Sequence, residues 1–352
     1  MTKISRRTLL RGTMGAAIAG PALIGAGHAQ AQIKQITVAD PGGAYGEAFR
    51  KAFYDPFEKA TGIRVINVAR EAEPTAQIKA IVETKSYTWD ASILTEAARD
   101  ILQTQNLLDP IEVTAADTAG LLPEAITPYW LGTDMYATLF AYRTDRYKDD
   151  APKSWADFWD VKRFPGRRSL SKSPIDTLEQ ALLADGVPAD KLYPLDLDRA
   201  FKSLDRIKPH VAVWWAGGAQ SAQVIQSGEV DMVAIWNGRA QAVLDGGAPI
   251  KLVWNQAIYG VEGFAIPKGG PRVAAVRQFI KFCANAERQA AYTQFLSYGP
   301  TNTGAYKFIP PERAAMLPSS PENLKLMFKQ NEKWWGENRA NALERFNTWL
   351  LS

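Results

Sequence analysis

Residues 34–68 read KQITVADPGGAYGEAFRKAFYDPFEKATGIRVINV. Lys34 to Ala39 is a short β-prone run, and Asp40-Pro41-Gly42-Gly43 breaks it, because proline removes a ladder donor and glycine supplies the turn. From Tyr45 to Ala60 the period changes. Phe49, Phe53 and Phe57 recur every fourth residue, which is one stripe of a helix, and Gly62 stops it. Ile63 to Val68 is β-prone again. The phenylalanine stripe reads as core, not as a site.

The alternation continues outward from this unit. Ala76 to Thr84 is helical, Asp90 to Leu94 reads as a strand, and Thr95-Glu96 opens a further helix. Alternating β and α elements with short connections predict an α/β domain with a largely parallel sheet. Ligands of such sheets bind at the carboxyl ends of the strands, which places Gly42-Gly43-Ala44-Tyr45 and Thr95-Glu96 on the binding edge. After a stretch broken by proline and glycine, Tyr136 to Tyr142 reads as a strand crossing into a second domain. Helices over Thr177 to Leu183, Leu197 to Ile207 and Ala219 to Ser227 then mix with strands over Val211 to Trp215 and Val230 to Trp236. Asn237-Gly238-Arg239 reads as the end of the last strand, Leu252 to Ile266 is extended, and Pro267-Lys268-Gly269-Gly270 turns it. Helical patterns dominate from there on. With no repeat and no long linker, a second lobe inserted into a continuous chain fits this order best.

The first 31 residues stand apart. Arg6 and Arg7 precede a modest apolar run from Met14 to Gly27, which ends at Ala29-Gln30-Ala31. The pattern resembles a twin-arginine export signal cut near Gln32, which implies a periplasmic location. The run is rich in glycine and alanine and shorter than the ~20 residues that span a bilayer, which argues against an anchor. Lys3, Arg6, Arg7 and Arg11, with no acid among them, account for the whole formal charge of +4 of the 352-residue chain. The remainder is formally neutral and has no Lys/Arg run, so neither nucleic acid nor an anionic membrane surface is an expected partner.

Several chemistries are excluded by what is missing. Beyond residue 31 there is one histidine, His210, and the chain has one cysteine, Cys283. These cannot build a zinc site, a Cys/His nucleophile or a Ser-His-Asp triad. Cys283 shares an apolar helical stripe with Val276 and Ile280 and reads as packing. No GxGxxG follows a strand and no GxxxxGK[ST] occurs. No cofactor, metal or catalytic residue is expected. An exported carboxylate-pair glycosidase is the enzymatic alternative, but no spacing picks out an acid/base pair.

Five stretches carry a resemblance: Phe57-Glu58-Lys59-Ala60-Thr61-Gly62-Ile63, Gly228-Glu229-Val230-Asp231-Met232, Ile235-Trp236-Asn237-Gly238, Ala265-Ile266-Pro267 and Tyr298-Gly299-Pro300-Thr301-Asn302. Together they resemble the periplasmic substrate-binding proteins of ABC importers, in the spermidine/putrescine-binding group. The resemblance implies a two-lobed periplasmic-binding-protein fold of type II, each lobe a sheet flanked by helices, closing on a ligand in the cleft. It implies residues 32–137 with 262–307 in one lobe and 138–261 with 308–352 in the other. It also implies a monomer that docks on an ABC permease and ATPase complex at the inner membrane.

The candidate site follows from the same resemblance and from charge. Organic amines are held by aromatic faces and by carboxylates. Trp214, Trp215, Trp236 and Trp254 lie near breaks at strand ends, and Trp236, Tyr45 and Tyr298 match aromatic positions of the relatives. Trp334 and Trp335 read as packing or surface. Glu262 stands where amine-binding relatives carry an aspartate on the second crossing strand, so it is the expected ammonium partner, with a solvated strand edge or an internal ion pair as the other reading. Arg239 stands where putrescine-binding relatives tend to carry an aspartate. An arginine there repels a second ammonium ~5 Å away by about 3 kcal/mol at an effective dielectric of about 20, while its fork suits a carboxylate. Gly260 replaces an aromatic of the relatives, and Asp176, with Ser173, occupies a helix start that often supplies a carboxylate pair. Thr95 or Glu96 adds a polar contact. These departures predict a zwitterionic ω-amino acid such as 4-aminobutyrate (GABA) in place of putrescine or spermidine. Two other readings remain open: a polyamine binder with Arg239 outside the site, and a ferric-ion binder, for which Tyr142 and Tyr147 lie near each other but form no adjacent pair.

Overall fold

The computed structural model describes residues 33–70 and 74–352. The expected export signal therefore lies outside the described residues. The strands are β1 (Gln35–Asp40), β2 (Arg64–Ala69), β3 (Ala91–Thr95), the short β4 (Leu108–Asp109) and β5 (Ile126–Thr127), and the long β6 (Trp130–Arg143). After these come β7 (Arg168–Ser171), β8 (Val211–Trp215), β9 (Met232–Trp236), the long β10 (Ile250–Pro267), and the short β11 (Gly299–Pro300) and β12 (Phe328–Lys329). The main path of the sheet runs β2-β1-β3-β10-β6-β9-β7-β8.

The expectation of a largely parallel sheet holds for the two outer sets and fails in the middle. β1 pairs with β2 and β3 in parallel, and β7 pairs with β8 and β9 in parallel. Between the sets, β10 and β6 run antiparallel to each other and to their outer neighbours. The chain enters the second set along one long strand and returns along the other, so these two must oppose. As a result the two parallel sets point in opposite directions. β3 ends with Thr95 opposite Glu262, which pairs with Asp134, whereas β9 ends with Trp236 opposite Thr138. Four residues of β6 separate those levels, so at ~3.3 Å per residue the carboxyl ends face each other across about 13 Å.

The stripe anticipated after β1 packs as core. Phe49, Phe53 and Phe57 are fully buried, together with Phe264, Phe279 and Tyr292. The helix is not uniform: an α-helix over Gly43–Phe49 passes through a π-helical turn over Arg50–Tyr54 into an α-helix over Asp55–Thr61. That turn buries both Phe53 and Tyr54 and lets the Tyr54 hydroxyl donate to Asp40 at the end of β1, 2.8 Å away. Gly62 ends the helix in the left-handed region at φ 74°, which glycine adopts without a Cβ penalty. Cys283 lies in the same core, its thiol pushed up by burial. A second core gathers Phe140, Trp155, Phe158, Leu204, Trp335 and Phe346. Its helix Trp155–Trp159 and the strand β7 are too short to announce themselves by periodicity.

One expected break is a helix start. Asn237-Gly238-Arg239 opens the helix Asn237–Asp245 directly behind β9, so Arg239 sits in its first turn. The Asn237 side chain accepts from the Ala137 amide at 2.9 Å and donates to the Ser297 carbonyl at 2.5 Å, which ties the end of β9 to β6 and to the 297–298 segment. Among the described residues no helix is long and apolar enough to cross a membrane.

The long pair contains a bulge between Glu262 and Gly263. A Cβ at Gly263 would lie 2.2 Å from the Leu131 carbonyl oxygen, a backbone atom that cannot move without shifting the pairing. Gly263→Ala is expected to cost about 2 kcal/mol of stability, read as a lower urea midpoint with an unchanged slope. An unchanged midpoint would show that the bulge tolerates a side chain.

Candidate ligand-binding cleft

A cavity of about 540 Å³ occupies the gap between the opposed strand ends. Pro41 and Gly42 after β1, Arg70 after β2, Thr95 at the end of β3, Ser171 at the end of β7, Trp215 at the end of β8 and Trp236 at the end of β9 all line it. Every strand of both parallel sets thus delivers its carboxyl end to one space, as open α/β sheets do. The volume is in the range of small-molecule sites.

The cavity walls are aromatic. The Tyr298 ring sits between Tyr45 and Tyr136, with centroids 6.3 Å away in each case. Trp236 meets Trp215 edge-on at 5.5 Å. Trp335 also lines the cavity, although its indole N–H donates to Glu179 at 2.6 Å and the ring is buried. Tyr136 explains the glycine at position 260. The two are register partners on β6 and β10, and a Cβ on Gly260 would fall 2.6 Å from the Tyr136 hydroxyl. The ring expected on one long strand is supplied from the other, and the glycine makes room for it.

Charge is distributed around this wall. Arg70 Nη2 lies 3.5 Å from Glu262 Oε1, with side-chain exposures of 3% and 14%. Glu262 is thus in an ion pair and also lines the cavity. Arg239 lines the cavity half-buried, and no other described residue is within hydrogen-bond or ion-pair reach of it. Gly218 leaves it space: a Cβ there would stand 2.8 Å from the Trp236 ring and 3.1 Å from Arg239 Nε.

On the opposite side, Asp176 accepts from Thr138 Oγ1 and from Gln330 Nε2, each at 2.7 Å. It keeps part of its surface on the cavity, but its depth in the protein pushes its carboxyl up to about 6. Burial first, then the charge of Asp176, raises Glu179 to about 7. Burial, with Glu96 and Asp176 nearby, raises Glu332 to about 8. Thr95 lines the cavity and caps the helix Glu96–Thr104 by accepting from the Ala98 amide at 3.2 Å.

Seven expected site residues, Tyr45, Thr95, Asp176, Trp236, Arg239, Glu262 and Tyr298, come together on this one cavity. Glu96 does not. Its carboxylate turns away and pairs with Lys329 Nζ at 2.8 Å, with little exposure, because its helix packs against the helix Glu332–Leu351, just beyond Lys329. The sequence reading missed Arg70, Tyr136, Glu332 and Trp335. Tyr136 had a signal in the small-for-large exchange with Gly260, whereas Glu332 arrives from a distant helix start that no local pattern connects to the strands. Among the described residues no group of three or more His, Cys, Asp or Glu is arranged to hold a metal ion.

Residues 52–321 match the family model described as bacterial extracellular solute-binding protein. The chain belongs to that family. The γ-aminobutyric acid-binding protein of Pseudomonas aeruginosa is 33% identical over 92% of this solute-binding protein and 93% of its own length. An ABC transporter substrate-binding protein from Bradyrhizobium japonicum superposes with a TM-score of 0.84 at 39% identity, over 90% of this chain and 99% of that one. The Atu4243-GABA receptor superposes with a TM-score of 0.81 at 33% identity, over 90% of this chain and 97% of that one. The two-sided α/β architecture is thus that of a periplasmic binding protein, and its role is to bind a solute, not to turn one over.

The raised carboxyls make the stability of this solute-binding protein depend on pH. A carboxyl held above its ordinary value favours the fold when protonated, so its contribution is complete below the ordinary carboxylate range and is lost as pH rises through the folded value. The loss therefore begins in the ordinary carboxylate range and runs up to about 6 for Asp176, about 7 for Glu179 and about 8 for Glu332. Ligand-free protein is expected to melt higher near pH 5 than near pH 8, and Glu332→Gln to flatten the difference. Thermal melts followed by circular dichroism test this, and a melting temperature that climbs across the interval would contradict it.

Proposed function

We propose that this protein binds a small zwitterion with an amine at one end and a carboxylate at the other, 4-aminobutyrate being the first candidate, and delivers it to an ABC importer. The observation that carries this reading is the half-buried Arg239 guanidinium, without a partner among the described residues, on the same cavity as Glu262. A cation left unpaired in a partly buried wall is costly, and a ligand carboxylate would satisfy its fork. Glu262 takes the ammonium, oriented by Arg70. Tyr45, Trp236 and Tyr298 enclose the methylene chain, and Thr95 and Asp176 supply polar contacts along it. Two relatives that span nearly the whole chain are described as binding γ-aminobutyric acid or as its receptor, which supports the same class.

The topology supports two lobes, residues 32–137 with 262–307 and residues 138–261 with 308–352, with β6 and β10 as the crossing strands. The packing agrees: residues 264–292 join the core of β1–β3, while Trp335 and Phe346 join the core of β7 and β9. Ligand contacts from both sides stabilise the closed form by their differential affinity for it, and that form docks as a monomer on the permease and ATPase. Location in the periplasm follows from the relatives, and export by the twin-arginine route from Arg6 and Arg7.

Isothermal titration with 4-aminobutyrate, putrescine and spermidine tests the reading. 4-Aminobutyrate is expected to bind, with putrescine weaker by about two orders of magnitude, the equivalent of about 3 kcal/mol. Arg239→Asp should invert that preference, because an aspartate on the wall would accept the second ammonium. Tight putrescine binding without 4-aminobutyrate binding sinks the proposal and returns the chain to the polyamine binders.

A further inference from the structure

Behind Glu262 lies a second carboxyl that does not line the cavity. Asp134 on β6 is fully buried and is the register partner of Glu262 on β10. Residues directly opposed in an antiparallel pair have Cβ atoms about 4.5–5.5 Å apart, and like charges in that arrangement repel. Asp134 Oδ1 accepts from the Tyr45 hydroxyl at 2.7 Å, and Oδ2 is buried with no hydrogen-bond partner among the described residues.

The groups that face Asp134 can be named. They are Glu262 from β10, Arg70 from the end of β2, Tyr45 from the helix Gly43–Phe49, Tyr292 from the helix Ala286–Tyr292, and Tyr298 just beyond it. Only Arg70 among them is cationic, and it lies against Glu262. Among the described residues one cation thus serves two carboxyls, one of them fully buried. Burial and then the charge of Glu262 push the Asp134 carboxyl well above its ordinary value, and Tyr45 and Arg70 offset only part of this. Among the described residues, the charges of this cluster balance when Asp134 carries a proton.

We propose that docking of the ligand's ammonium at Glu262 expels the proton of Asp134, so that Asp134 is a positioning residue that sets the charge of the amine subsite. The exchange balances. Before binding the cluster holds Arg70 as a cation, Glu262 as an anion and neutral Asp134. Afterwards it holds two cations and two carboxylates, and the proton passes to the buffer. The ligand's own groups do not account for that proton, because a primary ammonium near 10 and a carboxylate near 4 do not titrate around neutral pH. Affinity for the zwitterion therefore rises with pH wherever free Asp134 is protonated, by about tenfold per pH unit for one proton released. This rests on the reading that the ammonium meets Glu262.

Titration calorimetry of the full-length mature protein with 4-aminobutyrate near pH 7, in buffers of different ionisation enthalpy, measures the protons released from the slope of heat against buffer enthalpy. Wild-type protein is expected to release close to one proton per ligand. Asp134→Asn should bind with that release abolished. Glu179→Gln, at a raised carboxyl that does not line the cavity, should leave it unchanged, which separates Asp134 from the raised carboxyls across the cavity. A zero slope in wild type overturns the coupling whether or not Asp134→Asn folds, as does an unchanged slope in Asp134→Asn. Glu262→Gln keeps the two claims apart. If it abolishes binding while wild type releases no proton, the amine site stands and the coupling falls. If it leaves affinity unchanged, or if 4-aminobutyrate does not bind at all, the reading of the amine site fails and takes the coupling with it.

Discussion

The antiparallel pairing of β6 and β10 runs from Arg143 opposite Ile250 to Trp130 opposite Ala265, and the rest of the molecule hangs on it. Hydrogen-bond direction forces the two flanking parallel sets to run oppositely, and the length of the long strands sets how far apart their carboxyl ends stop. The cleft is what remains between those ends. The same ladder places Glu262 beside Asp134 and Gly260 beside Tyr136, so a single register sets both the charge and the width of the site. The bulge at Glu262/Gly263 adds local twist at that point, as bulges do beside functional sites.

Electrostatics then decides what the cleft accepts. Charged groups in a partly dehydrated cavity interact more strongly than at a surface, and each must find a partner or change its protonation. Here both solutions appear. Glu262 lies against Arg70, and Glu96 against Lys329. Asp176, Glu179 and Glu332 are crowded together deep in the protein and move upward in pKa. Arg239 has no partner among the described residues, and this asymmetry supports the proposed anionic group on the ligand.

The parts of the site visible in the sequence are those where a residue contradicts its local setting. Glu262 is an acid on an extended apolar segment, and Arg239 is a cation directly behind a buried strand. Tyr45 follows a glycine turn at a strand end. Such features are local, so one chain suffices to find them. Glu96 shows the limit of that logic: its position at a strand end was right, but the rotation of a helix about its axis is set by what packs on it, and the 329–332 segment draws the side chain away. Arg70 escaped notice because a charged residue after a strand is ordinary until its neighbour across the cleft is known.

By itself the sequence determined the alternation of strands and helices, the phenylalanine core stripe, and the presence of one misplaced arginine. All of these follow from periodicity and residue chemistry, which act over a few positions. Only the tertiary structure decided that the centre of the sheet is antiparallel, that Tyr136 fills the space left by Gly260, and that Asp134 stands behind Glu262 in a place one cation serves. These depend on which residues far apart in the chain become neighbours, and that is settled by strand register and packing, quantities no local pattern encodes.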